Sequence, residues 1–111
     1  MKQHTIYHID GSVLHEGEAE TFKEFVEKNK RNLKGAWLPS VNLTWANLEN
    51  ANLEGAWLPL TNLSGANLEN ANLWGTYLDG AWLVGAKLAG AKNVNLENAN
   101  LEVPIFFNRN Y

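Results

Sequence analysis

The sequence predicts an all-β solenoid of square coils, covered at its N-terminal end by a β-hairpin and an α-helix. Three observations predict this fold: a leucine every five residues, a turn-forming residue every five residues, and a near-duplication between positions i and i+20. Leucine recurs without interruption at positions 33, 38, 43, 48, 53, 58, 63, 68, 73, 78, 83 and 88. A period of five matches neither an α-helix nor a flat strand, so a turn must recur at the same interval.

Each five-residue unit has a small or β-branched residue two positions before the leucine and usually an Asn directly before it. Gly or Asn usually follows two positions after the leucine. Both residues tolerate the positive φ that a tight turn requires. In the three extended residues between turns, the first and third side chains point the same way. The small residue and the leucine therefore point inward, and the Asn between them points outward.

A near-duplication indicates four sides per coil, because residues 35–54 nearly repeat as residues 55–74. Positions i and i+20 should then lie above one another, with neighbouring coils joined by strand-like hydrogen bonds at roughly 4.8 Å. The pattern breaks after Ala91 and restarts at Leu96, which predicts a bulge or loop at 92–95. The predicted organisation is a cap at 1–32, a repeat solenoid at 33–102 and an aromatic tail at 103–111.

The segment 1–32 is predicted to cap the open edge of the first coil, since an uncovered strand edge invites aggregation. Asp10-Gly11 between strand patterns at 5–9 and 12–16 is a two-residue hairpin signal. Thr21 followed three residues later by Glu24 is a capping box, which predicts a helix that continues to about Lys30.

The A-N-L-x-G unit resembles the pentapeptide repeat family over residues 33–91 and, after the interruption, to about 102. The resemblance implies a right-handed quadrilateral β-helix with the leucine and the small residue stacked inside. The N-terminal hairpin and helix are similar to the N-terminal piece of small pentapeptide repeat proteins from phages and bacteria.

Composition and charge argue against several classes of function. A net charge of −3 over 111 residues offers no basic surplus for nucleic acid, and the absence of cysteine excludes a thiolate site. No segment approaches the ~20 apolar residues that span a bilayer, so we expect no membrane contact and a cytoplasmic location, in a host if phage-encoded. The three histidines, His4, His8 and His15, lack the further ligands that zinc requires. We expect no catalytic residues, no metal and no cofactor.

Aromatic residues occupy outward positions where the repeat normally has Asn. Trp37, Trp57 and Tyr77 occupy equivalent positions in successive coils and should form one vertical column. The predicted partner-binding residues are Trp37, Trp57, Tyr77, Trp74, Trp82, Leu60, Pro39 and Pro59. A contiguous exposed apolar patch usually marks a partner surface, and Trp and Tyr dominate interface hot spots. The alternative is that the column is a ladder that only stabilises the coils.

These features favour a non-enzymatic protein-interaction or scaffold module, which the N-terminal resemblance extends to a phage-encoded binder of a host protein. One alternative is a purely structural rod that assembles with itself. Another, implied by the resemblance, is a DNA-mimic inhibitor of DNA gyrase or topoisomerase, although such members are strongly acidic and this chain carries only −3.

The C-terminal tail is aromatic and apolar, and it has two interpretations. Phe106, Phe107 and Tyr111 either cover the last coil or form the interface of a homodimer.

Overall fold

The computed structural model describes residues 1–101, so the predicted roles of Phe106, Phe107 and Tyr111 lie outside the described residues. The regular elements, in chain order, are β1 (Lys2–His8), β2 (Val13–Ala19), α1 (Phe22–Lys28), a 3₁₀ turn (Lys30–Asn32) and β3 (Ala36–Trp37). The three strands form one sheet in the order β2-β1-β3, and the stacked five-residue units follow β3.

Strands β1 and β2 pair antiparallel, as the hairpin signal predicts, but the loop between them is longer than two residues. The segment 9–12 connects the strands. The Asp10 carboxylate accepts hydrogen bonds from the Ser12 hydroxyl at 2.6 Å and the Ser12 amide at 2.8 Å. These two bonds organise the longer loop, and they hold the pKa of Asp10 below its ordinary value.

Helix α1 begins where the capping box predicts it and ends slightly earlier than expected. The Thr21 hydroxyl accepts a hydrogen bond from the Glu24 amide at 3.1 Å. At the other end, the Asn29 side-chain amide donates to the Phe25 carbonyl at 2.8 Å and so satisfies a helix-terminal acceptor. The chain therefore leaves the α-helix at Lys28 and continues as a 3₁₀ turn.

The repeat region consists of stacked coils of 20 residues, each built from four five-residue segments. Parallel bridges join positions i and i+20 on every side, as in Asn42–Asn62 and Asn47–Asn67. Positive φ angles recur at every fifth position from 35 to 90, on Gly, Asn, Ser, Leu or Trp. The repeat leucines from Leu33 to Leu83 are buried, together with most of the small residues that precede them. The inward and outward positions thus follow the five-residue pattern.

The last described coil is two residues shorter than the others, and the change of spacing falls between Lys92 and Asn100. Lys92 still pairs with Asn72, its i−20 position, but Asn100 pairs with Trp82, its i−18 position. Asn93 has a φ of 53° and turns the chain early. The early turn keeps this polar side chain out of the leucine stack, where burial without a partner would cost about 1–3 kcal/mol.

The N-terminal segment covers the open edge of the first coil with both backbone and side-chain contacts. Strand β1 pairs antiparallel with β3 on one side. On the other sides, the Lys23 ammonium donates to the Thr44 carbonyl at 3.0 Å, and the Glu27 carboxylate accepts from the Asn47 amide at 2.7 Å. In later coils, the equivalent backbone groups form hydrogen bonds with the coil before them. The first coil has no coil before it, and the cap supplies these hydrogen bonds instead.

Candidate protein-binding face

One side of the stack carries the predicted aromatic column. Parallel bridges join Trp37 to Trp57 and Trp57 to Tyr77, so the three residues occupy successive rungs. Their exposed fractions are 50%, 44% and 36%. The rings of Trp57 and Tyr77 stack with centroids 4.6 Å apart and an interplanar angle of 28°. Since these rings face each other along the column, their edges point toward solvent.

The remaining predicted residues flank this column at its corners. Trp74 and Leu60 are exposed at the two corners, Trp82 is exposed on the adjacent side, and both prolines are half-buried. We refer to the eight residues together as the aromatic face: Trp37, Trp57, Tyr77, Trp74, Trp82, Leu60, Pro39 and Pro59.

The hairpin extends the column by one further rung, which the sequence pattern did not reveal. Tyr7 of β1 pairs directly with Trp37 and is 45% exposed, and Ile9 beside it is 48% exposed. The five-residue period describes only the repeats, so it contains no information on how β1 docks against them. A signal was nevertheless present, because Tyr7 and Ile9 are outward apolar residues at the end of a predicted edge strand.

The half-buried prolines compensate for the replacement of Asn by Trp. In ordinary units the outward Asn accepts a hydrogen bond from the amide two residues later, as Asn62 does from Ser64 at 3.0 Å. Trp cannot accept such a bond, and after Trp37 and Trp57 the residue two positions later is proline. Because proline has no N–H group, no donor is left without its acceptor.

Tyr77 is followed by Asp79 instead, and the two side chains interact. The Tyr77 hydroxyl donates to the Asp79 carboxylate at 3.0 Å. This hydrogen bond raises the pKa of Tyr77 above its ordinary value, because ionising the phenol would remove the donor beside a negative charge.

Two bulky residues occupy the left-handed corner positions that glycine favours. Leu60 has a φ of 60° and is 63% exposed, and Trp45 has a φ of 61° and is 78% exposed. Each lies over a glycine of the next coil, Leu60 over Gly80 and Trp45 over Gly65. A left-handed conformation costs a non-glycine residue roughly 1–2 kcal/mol. Leu60 adopts this conformation although its apolar side chain is exposed to solvent beside the aromatic column. In that position the side chain contributes little to the free energy of folding.

Two shallow cavities border Trp37 and Ile9. One, of about 360 Å³, is lined by Tyr7, His8, Ile9, Gly11 and Trp37. The other, of about 270 Å³, is lined by Ile9, Trp37 and Trp57. Both are predominantly apolar, so they can accept small apolar groups of a partner.

The sequence profile described as Pentapeptide repeats matches the chain in eight copies, over residues 32–65 and 61–102. These residues make up well over half of the chain. The chain is a pentapeptide repeat protein. A comparison with curated proteins gave no match.

Elsewhere, the described part of the pentapeptide repeat protein offers few groups for chemistry. Within residues 1–101, no three His, Cys, Asp or Glu side chains converge as a metal site would require. His15 lies 2.6 Å from the Asn32 carbonyl, and His4 lies 3.1 Å from the Ala19 carbonyl. No helix in the described residues is both long enough and apolar enough to cross a membrane.

Two outward acids of the pentapeptide repeat protein interact with neighbouring side chains. The Glu54 carboxylate lies 3.3 Å from the Lys34 ammonium, and Asp79 accepts from Tyr77. Glu49 and Glu69 occupy equivalent positions of successive coils, in one corner column. The Lys34 ammonium therefore offsets the charge of Glu54, whereas the Tyr77 hydroxyl donates to Asp79 without neutralising it.

Proposed function

We propose that this protein is a non-enzymatic interaction module, a right-handed quadrilateral β-helix that presents the aromatic face to a protein partner. One observation carries the proposal: Trp37, Trp57 and Tyr77 remain between 36% and 50% exposed although the core beneath them is complete. Large aromatic side chains left in solvent on one continuous surface are typical of binding sites.

The backbone beneath the face supports this role because it holds the side chains in fixed positions. Each rung is hydrogen-bonded to its neighbours: the Trp57 amide donates to Ala36 at 2.8 Å, and the Tyr77 amide donates to Ala56 at 2.8 Å. Binding then immobilises little additional backbone, so less of the interaction free energy is lost to ordering.

The geometry favours binding over a ladder that only stabilises the coils. A stabilising ladder gains its energy from ring stacking, yet within residues 1–101 only the Trp57–Tyr77 pair stacks among the aromatic residues of the column. The Trp37 ring stacks on neither Tyr7 nor Trp57, and it borders two cavities instead. The DNA-mimic alternative draws less support, since Glu54 is paired and the outer surface of this side is aromatic.

Replacing Trp57 by Ser tests the proposed face, with Trp45→Ser as the matched control at a corner outside it. Both side chains are exposed, so we expect both variants to keep the wild-type circular dichroism spectrum and melting temperature to within a few degrees. Immobilised Trp57→Ser should retain at least tenfold less of the bound partner from a bacterial lysate, whereas Trp45→Ser should match wild type. Equal retention by all three proteins would remove the aromatic face as the binding site.

The two interpretations of the C-terminal tail, whose residues lie outside the described ones, predict different oligomeric states. If Phe106, Phe107 and Tyr111 form a homodimer interface, light scattering on a sizing column should give a dimer for the wild type and for Trp57→Ser, and a monomer for Phe106→Ser. A wild-type monomer at all concentrations would favour the tail as a cover of its own last coil.

A further inference from the structure

We propose that the end of the aromatic face nearest the hairpin binds a proline-rich segment in the polyproline II conformation. The residues involved are Tyr7, Ile9, Trp37 and Trp57. This inference rests on the proposed function and names the chemistry of the partner for that site.

The surface has two adjacent shallow hollows. Trp37 and Ile9 line both of them, and Tyr7 extends one hollow while Trp57 extends the other. Aromatic-lined grooves are a general means by which proteins bind polyproline II segments.

The spacing of the rungs also matches this ligand. Tyr7, Trp37, Trp57 and Tyr77 lie on four adjacent paired strands. Neighbouring strands are about 4.8 Å apart, so every second rung is separated by about 9.6 Å. A polyproline II helix has three residues per turn and rises about 3.1 Å per residue, which gives about 9.3 Å per turn. A segment lying along the stack would therefore repeat its contacts in step with alternate rungs.

The hydrogen-bonding groups of the surface are complementary to such a segment. Trp37 and Trp57 carry indole N–H donors, and within residues 1–101 neither indole donates to a protein acceptor. The four residues bear no charge. Proline-rich backbone has free carbonyl acceptors and few N–H donors, so it satisfies the indoles without burying donors of its own.

At Trp57, the orientation of the ring disfavours a stacked sugar ligand. A sugar ring stacks on an aromatic face that is open to solvent. The stacked pair at 4.6 Å closes the facing sides of Trp57 and Tyr77 and turns the ring edges outward.

Fluorescence anisotropy of a fluorescein-labelled decaproline peptide tests the assignment, with a Gly-Ser peptide of equal length as the reference ligand. We expect saturable binding of decaproline at least tenfold tighter than binding of the Gly-Ser peptide. Trp37→Ser and Ile9→Ser should each weaken decaproline binding at least tenfold. Trp45→Ser, which removes an exposed Trp outside the site, should leave binding unchanged.

Three outcomes would overturn the assignment. The first is decaproline binding no tighter than the Gly-Ser peptide, and the second is equal binding by wild type and Trp37→Ser. The third is a wild-type protein that forms a dimer together with a Trp37→Ser variant that is a monomer. A second copy of the chain would then occupy the site. If decaproline fails while Trp57→Ser still abolishes retention of a lysate protein, the ligand class is wrong and the proposed function stands. Failure of both experiments would remove the proposed function as well.

Discussion

Leu63→Asp should abolish the folded state. Leu63 is fully buried, and its neighbours in the coils on either side, Leu43 and Leu83, are buried as well. Removing a buried leucine side chain costs about 2–5 kcal/mol, and placing a carboxylate in its position adds several kcal/mol more. Since small domains are stable by only about 5–15 kcal/mol, the sum is comparable to the whole free energy of folding.

The matched control is Leu60→Asp, at a nearby corner of the same coil. Leu60 is 63% exposed and has a φ of 60°, a conformation that Asp adopts more readily than Leu. Circular dichroism and thermal melting should therefore show an unfolded Leu63→Asp protein and a Leu60→Asp protein with a melting temperature near that of wild type. A cooperative, native-like melt for Leu63→Asp would contradict the inward position of the repeat leucines.

Much of this fold can be predicted from the sequence because every five-residue unit adopts the same conformation. The leucine, the small residue and the turn residue specify one side of a coil, and the near-duplication of 35–54 as 55–74 specifies how coils stack. The aromatic column then requires no further information. Residues 37, 57 and 77 lie above one another because each is one full coil from the next.

The features that escaped prediction depend on contacts between segments that do not share the repeat. Tyr7 joins the column only because β1 docks against Trp37, and no period in the sequence links those two residues. Trp can replace Asn at positions 37 and 57 because Pro39 and Pro59 have no N–H group that needs an acceptor. This reason is apparent only from the structure, which shows that the outward Asn of an ordinary unit accepts a hydrogen bond from the amide two residues later.

The hydroxyl of Thr61 illustrates how one side chain can replace a backbone hydrogen bond. In most units the amide of the small residue donates to the carbonyl of the preceding leucine, as Ala46 does to Leu43 at 3.1 Å. Val41 does not follow this pattern. Its amide donates to the Thr61 hydroxyl at 3.2 Å, and that hydroxyl donates to the Leu38 carbonyl. Thr61 thus bridges a turn of the coil before it, and its side chain is fully buried.

Thr61→Val should consequently lower the free energy of unfolding by about 2–4 kcal/mol. The substitution keeps the side-chain shape but removes a buried hydrogen bond and leaves the Val41 amide without its acceptor, and an unsatisfied buried group costs about 1–3 kcal/mol. Thr76→Val is the matched control. The Thr76 hydroxyl donates to the Leu53 carbonyl at 2.7 Å, but that carbonyl also accepts from the Ala56 amide at 2.9 Å.

In Thr76→Val the Leu53 carbonyl keeps its hydrogen bond from the Ala56 amide. The substitution should therefore lower the free energy of unfolding by only about 1 kcal/mol, which is the ordinary net value of one hydrogen bond. Urea denaturation of both variants beside wild type measures the difference, provided that the m-value is unchanged. Thr61→Ser keeps the hydroxyl and should recover most of the loss. Equal losses for the two valine variants would mean that Val41 donates directly to Leu38 once the hydroxyl is gone, and that the bridge contributes no more than any other buried hydrogen bond.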